Sequence, residues 1–227
     1  MDAPYEHDIA EEYGPANAVT PFQIRSMFKM ARLGRRDVFY DLGSGHGRVV
    51  RLAVKEFHVK RAIGIEHHSE RFCHARSLAK QKLTKAQLAK VDFWLEGMDY
   101  LKSSDLVGLT VAYYGLDPTK NNLKTFRQLF GRRNIRLITK DLPILGYAPL
   151  ASSRESKTTW FFLMSHPLKH RITDRDRWAK TFLGPNATID DVYKYYDRQL
   201  KKRQLLDREQ SVRALKRLVG KVFKAQK

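Results

Sequence analysis

Six short apolar segments recur between Val38 and Ser165: VFYDLG, AIGIE, VDFWLEG, LTVAYYGL, IRLITKDL and TWFFLMS. Each is rich in Val, Ile, Phe or Tyr, and helix-like stretches such as Arg48–Phe57 and Ser69–Lys80 lie between the early ones. Strands that alternate with helices run parallel, because each crossover helix returns the chain to the same end of the sheet. Near-continuous apolar strands need cover on both faces. The last segment is reached through GYAPLASSRESKT, which has no room for a crossover helix. Tyr147–Ala151 and Thr158–Ser165 are therefore expected to close the sheet as an antiparallel hairpin.

The expected fold class is α/β: a Rossmann-like, doubly wound, mostly parallel seven-stranded sheet with a closing hairpin. Thr20-Pro21 announces a helix in front of it, with Thr20 as N-cap, an apolar face of Phe22, Ile24, Met27, Phe28 and Met30, and Gly34 as its end. After Pro167 helical patterns take over. Thr188 caps one helix, with Ile189, Val192, Tyr193, Tyr196 and Leu200 on one stripe. Val212, Leu215, Leu218, Val219 and Val222 form a second stripe, backed by Arg213, Lys216, Arg217, Lys221 and Lys224. The expected organisation is an acidic N-terminal segment (1–20), a catalytic domain (21–170) and a basic helical extension (171–227).

Charge and cysteine content narrow the setting. The chain carries +19 over 227 residues. Its first twenty residues hold five acids and no Lys or Arg, so the remainder carries five more positive charges than the whole. Such a field draws polyanions, nucleic acid first among them. The extension alone holds 16 Lys or Arg against seven acids. A single cysteine, Cys73, excludes an internal disulfide or a Cys-based zinc cluster, suits a reducing cytosol, and reads as a small core residue. The eight histidines lack a matching carboxylate pattern, so no metal is expected. No apolar run is long enough to span a bilayer and the N-terminus lacks a secretory pattern, so a cytoplasmic protein is expected, with nucleoid association as a further expectation.

The first strand runs into Asp41-Leu-Gly43-Ser-Gly45-His-Gly47 at the mouth of a helix. Glycines here permit positive φ and let a ligand approach bare backbone. Dinucleotide sites use G-x-G-x-x-G to aim a helix N-terminus at pyrophosphate. This turn is G-x-G-x-G, with an aspartate two residues ahead that would repel phosphate and suit a cation. A second acid, Glu66, ends the next strand 23 residues beyond Gly43, where a carboxylate can accept from both ribose hydroxyls. A ligand with ribose, adenine and an amino acid but no phosphate fits best, which is S-adenosylmethionine. His46, inside the turn, is expected to face solvent.

The pair D-L-G-S-G-H-G-R and I-G-I-E resembles the first two cofactor motifs of the class I, seven-stranded methyltransferases. The resemblance implies a cofactor set of Asp41, Gly43, Ser44, Gly45, Gly47 and Glu66, with Thr20 at the lead-in helix and His67 beside the adenine. It also implies adenine contacts after the third strand at Gly97, Met98 and Asp99, where Met98 stands in place of the family's usual Asp or Asn. Residues from roughly Tyr13 to His166 resemble small archaeal protein-lysine methyltransferases. These are non-SET enzymes related to the histone-lysine methyltransferases that disrupt telomeric silencing. The narrower likeness rests on the Val19-Thr-Pro21 lead-in, the Thr139-Lys-Asp-Leu-Pro-Ile-Leu-Gly-Tyr-Ala-Pro149 segment and the Thr159-Trp-Phe-Phe-Leu strand. At the end of strand 4 those relatives carry Asn, and this chain has Tyr113-Tyr114-Gly115.

Amino-methylases of adenine or cytosine end strand 4 with Asn- or Asp-Pro-Pro-aromatic, which Ala112-Tyr-Tyr-Gly-Leu-Asp117-Pro118 does not match. Carbon-5 pyrimidine methylases need a cysteine nucleophile, and Cys73 is far from the expected position. Tyr113, Tyr114 and Tyr147 are the expected walls of an acceptor channel, with Asp141 as polar anchor. Aromatic walls disfavour the ammonium form of an entering amine and accept a methylated cation on their faces. The expectation is thus a protein-lysine methyltransferase, a monomer off the membrane, with lysine-bearing protein substrates and nucleic-acid or chromatin association. An RNA methyltransferase and a non-catalytic nucleic-acid-binding module on the same fold are the alternatives.

Overall fold

The computed structural model describes residues 19–115, 126, 128–131, 133–154, 160–202 and 208–224. Expectations placed on the acidic segment up to residue 18, on Asp117-Pro118 and on Thr158-Thr159 lie outside the described residues.

Seven strands form one sheet: β1 (Val38–Leu42), β2 (Arg61–Glu66), β3 (Val91–Leu95), β4 (Val111–Tyr114), β5 (Ile135–Lys140), β6 (Ala151–Arg154) and β7 (Trp160–His166). Their order is β3-β2-β1-β4-β5-β7-β6, with β1 to β5 parallel and β7 antiparallel to both neighbours. Strand β1 lies inside the sheet and is buried along its whole length, Asp41 included. The strand order reverses between β1 and β4. In open α/β sheets a crevice opens there, outside the carboxyl ends of the strands.

The closing hairpin is shorter than its sequence suggests. Its first arm is Ala151–Arg154, and Tyr147 makes an isolated antiparallel bridge to Arg171 instead. Gly146 accepts from the Ile172 amide and Ala148 donates to the His170 carbonyl, so residues 146–148 pair with the chain leaving β7.

On one face lie α1 (Pro21–Met30), α2 (Arg48–Lys55) and α3 (Ser69–Lys82), packed on Phe39, Val111, Ile138 and Phe161. Thr20 and Gln23 form a reciprocal capping box at the start of α1. Ile24, Met27 and Phe28 are buried as expected, but Phe22 is exposed. Arg32, at φ 50°, turns the chain after α1, ahead of Gly34. The short α4 (Lys85–Leu88) leads into β3.

The opposite face is covered from the C-terminus by α5 (Arg175–Leu183), α6 (Ile189–Lys202) and α7 (Arg208–Lys224). The β5–β6 connection, residues 141–150, contains no helix. Without a crossover helix that half of the sheet would stand bare, and the C-terminal helices fill the place. Trp178 is fully buried and donates through Nε1 to the Ile144 carbonyl at 3.2 Å. Phe182 meets Phe162 of β7 edge to face, with centroids 5.4 Å apart. Val192, Tyr196, Leu200, Leu215 and Val219 join the same cluster as Tyr40, Leu42 and Leu137. The described helices of this C-terminal extension pack into the main core.

Candidate active site

The site is built where β1 and β2 end. Backbone alternation puts Asp41, its register partners Gly64 and Tyr113, and Glu66 on one face of the sheet, the face carrying α1 to α3. Gly43, Gly45 and Gly47 turn the chain at φ 101°, 52° and 71°, and Gly47 caps α2 with no side chain. Four amides of the turn are already committed. Gly43 and Ser44 donate to the Ile65 carbonyl at 2.9 Å, and Gly47 donates to the Ser44 carbonyl at 2.8 Å. Gly45 donates to Glu66 Oε2 at 2.8 Å. A phosphate nest needs free backbone donors. This turn spends them on its own chain, which suits a phosphate-free ligand.

The glycines differ in purpose. A Cβ on Gly45 would meet nothing within 4 Å, so a ligand can approach its backbone. A Cβ on Gly47 would lie 2.6 Å from the Phe93 ring, and one on Gly64 would lie 2.7 Å from Ser44 Oγ and 2.8 Å from Phe93. Gly64 thus makes room for the turn to fold down on β2, a role that an isolated glycine inside a strand can signal.

Glu66 is buried, and its carboxylate accepts from the amides of Gly45 and His68, at 2.8 and 3.0 Å. His67 Nδ1 stands 3.3 Å from Glu66 Oε1, with the ring largely exposed. Asp41 is 1% exposed, and its Oδ1 has no hydrogen-bond partner among the described residues. Burial, and then the nearby Glu66, push its carboxyl up to about 8. A buried carboxyl beside a buried carboxylate is a costly arrangement that a cation would relieve. Ser44 Oγ is likewise buried without a described partner. These orphaned groups are what the amino group of S-adenosylmethionine could satisfy, so the residues present fit the cofactor.

Arg48 Nη1 donates to the Val19 carbonyl at 3.2 Å, which brings Thr20 and the start of α1 beside the turn. Arg51, buried in α2, donates to the His46 carbonyl. These two arginines carried no signal that separates them from ordinary helix cations. His46 does not face solvent as expected: both ring nitrogens are buried and lack described partners. Its ring lies 5.9 Å from that of His74, and burial, then Arg71 and His74, hold its pKa below the usual value. Cys73 is exposed on α3, so its core reading is also corrected.

Past β3, the Gly97 amide donates to Glu96 Oε1, and the turn closes with Tyr100 N donating to the Gly97 carbonyl. Met98 is half-buried against the main core, while Asp99 and Tyr100 are exposed. On β4 the two tyrosines are both buried but go to opposite faces. Tyr113 packs with Phe161, and Tyr114 stands edge to face on Phe126 at 5.0 Å. Only Tyr113 shares the Asp41 face. A Cβ on Gly115 would lie 2.6 Å from the Tyr113 hydroxyl oxygen, so that hydroxyl reaches the carboxyl end of the strand. Asp141 directly follows β5, is buried, and holds φ 68°, a left-handed conformation rare outside glycine. Tyr147 is half-buried in the loop that follows.

Solved structures share this architecture. An RNA methyltransferase from Salinibacter ruber in complex with S-adenosyl-L-homocysteine superposes with a TM-score of 0.56 at 24% identity, covering 65% of this chain and 92% of that one. The M. capricolum TrmK structure with S-adenosyl-homocysteine gives 0.54 at 11% identity, covering 90% of this chain and all of that one. The fold is that of the class I methyltransferases. Within that class, a family model described as histone methylation protein DOT1 matches residues 4–98. A protein-lysine N-methyltransferase of Saccharolobus islandicus (strain REY15A) is 37% identical over 73 residues, 31% of this chain and 45% of that protein. That match spans less than half the length of the curated relative, and the family-model match ends at residue 98, before β4.

Proposed function

We propose that the protein is an S-adenosylmethionine-dependent methyltransferase whose acceptor is the side-chain amine of lysine in a protein. The carrying observation is the gathering of carboxyl groups at the carboxyl edge of the sheet. Glu66, Glu96, Asp99 and Asp141 stand there beside Asp41, whose carboxyl keeps its proton at neutral pH until a cation enters, in a chain whose net charge is +19. A negative mouth in a positive molecule draws a cationic ligand and a cationic acceptor, and repels phosphate. The match of residues 4–98 to the DOT1 family model supports the same reading.

When bound, S-adenosylmethionine supplies an electrophilic methyl group. Glu66 is the acceptor for the ribose hydroxyls, and Asp41 with Ser44 takes the amino end. Gly43, Gly45, Gly47 and Thr20 frame the turn. His67, Gly97, Met98 and Asp99 border the adenine side. The acceptor amine must reach the site neutral. An aromatic, poorly hydrated wall at Tyr113 disfavours its ammonium form, and Tyr147 is the second wall. Asp141 holds the amine in line, and orientation of this kind accounts for much of the rate enhancement in a direct transfer. No dedicated base is required, because the lysine ammonium can release its proton to water before the neutral amine attacks.

An RNA acceptor is the second reading, favoured by the overall positive charge. Incubating the protein with methyl-labelled cofactor and a cell lysate separates the two. The lysine reading expects label that protease removes and RNase leaves. Label that RNase removes refutes it, and no label in either fraction refutes both.

A further inference from the structure

Four acids at or in α5 and α6 are committed to structure. Asp174 caps α5 by accepting from the Arg177 amide, and Asp176 accepts from Ile189 N at 2.7 Å. Asp191 accepts from Thr188, and Asp197 pairs with Arg208 at 2.9 Å. Cations on these helices are interleaved with acids. Helix α7 is different. From Ser211 to Lys224 it has five Lys or Arg and no acid. Leu215 and Val219 lock one side into the core, and Lys216 lies over the Tyr193 ring at 5.3 Å. Arg213, Arg217 and Lys221 remain exposed at successive four-residue steps, about 6 Å apart along the axis. Like charges at that spacing destabilise a helix. The described partner of the stripe is Glu209, which meets Arg213 at 3.2 Å in a pair that is 80% and 68% exposed and therefore weak.

From this stripe we propose that α7 is a docking surface for double-stranded DNA. Three evenly spaced cations on one rigid edge match the backbone of a duplex, where contacts to phosphate position the partner without reading sequence. The stripe carries no exposed aromatic ring, so it offers no platform on which single-stranded bases could stack. Its end lies beside the site: a Cβ on Gly146 would come within 3.2 Å of Val222, the neighbour of Lys221, and Tyr147 follows directly. A duplex on α7 is thus held next to the acceptor loop, while the carboxylates of the mouth keep its phosphates out. This docking does not depend on the methyl-transfer reading.

The test is anisotropy titration of the full chain against a labelled random duplex across a salt series. The triple variant R213Q/R217Q/K221Q is compared with K180Q/K194Q/K201Q, which removes the same charge from exposed positions of α5 and α6. Three lost phosphate contacts should weaken binding by about tenfold or more near 0.1 M salt and reduce the salt slope by about 3. The control triple should fall well short of both changes. Calorimetric cofactor binding equal to the parent in both variants shows that the fold is kept. Equal losses in the two triples, or none in the first, overturn the docking surface and leave the methyltransferase reading standing. A structured RNA bound several-fold tighter than the duplex overturns the assignment to DNA.

Discussion

Asp41 carries an apolar strand's last polar group into a place where water does not reach, and its pH behaviour follows from that. In the absence of ligand its carboxyl is raised from 3.8 to about 8, by burial first and by Glu66 second. The folded state therefore holds a proton that the unfolded state releases, and this contribution to stability is complete below pH 3.8 and lost as pH rises towards about 8. Replacing Asp41 with Asn removes the dependence. Thermal unfolding should show the variant gaining on the parent steadily from pH 5 to pH 8, with cofactor binding abolished. A constant Tm difference across that range would contradict the assignment. Glu66→Ala removes a buried acceptor shared with the Gly45 and His68 amides. Charged hydrogen bonds of this kind contribute about 1.5–3 kcal/mol, so calorimetry should show cofactor affinity falling at least tenfold.

The turn between β1 and α2 separates glycines that serve the ligand from those that serve packing. Gly45→Ala meets no atom within 4 Å but sits at φ 52°, so it should cost only about 1–2 kcal/mol of stability. Its main effect should be weaker cofactor binding, because the methyl stands on the approach surface. Gly64→Ala collides with Ser44 and Phe93 at under 3 Å and should cost about 1–3 kcal/mol, read as a lower urea midpoint. Six of the seven strands were legible because each is a short apolar run that ends at a turn residue, and the G-x-G-x-G spacing with its two acids was legible because the residue types are themselves the chemistry. The arm at Tyr147 was not, since its backbone pairs with Arg171, far along the chain, and local pattern cannot see such a partner. Alternation along a strand puts Tyr113 and Tyr114 on opposite faces, but sequence could not show which of the two shares the site's face, or that His46 turns inward against His74.

At the scale of the molecule, the C-terminal helices and the sheet are one core. The apolar stripe of Leu215 and Val219 was legible in the basic extension, but its partner in the core was not: Trp178 and Phe182 are a single pair four residues apart, too short a run to read as a stripe, and all four are buried. Trp178→Ala should cost about 3–5 kcal/mol and lower one cooperative transition for the whole chain. A second, separate transition would show that α5 to α7 fold apart from the sheet. Truncation after residue 170 should yield protein without cooperative unfolding. The central claim is that the turn and its two carboxyl groups hold a phosphate-free, cationic nucleoside. Calorimetric titration of the full chain with S-adenosylmethionine, and with NAD for comparison, tests it most directly. Saturable heat with the first and none with the second is the expected result; heat with NAD alone, or with neither, would contradict the account.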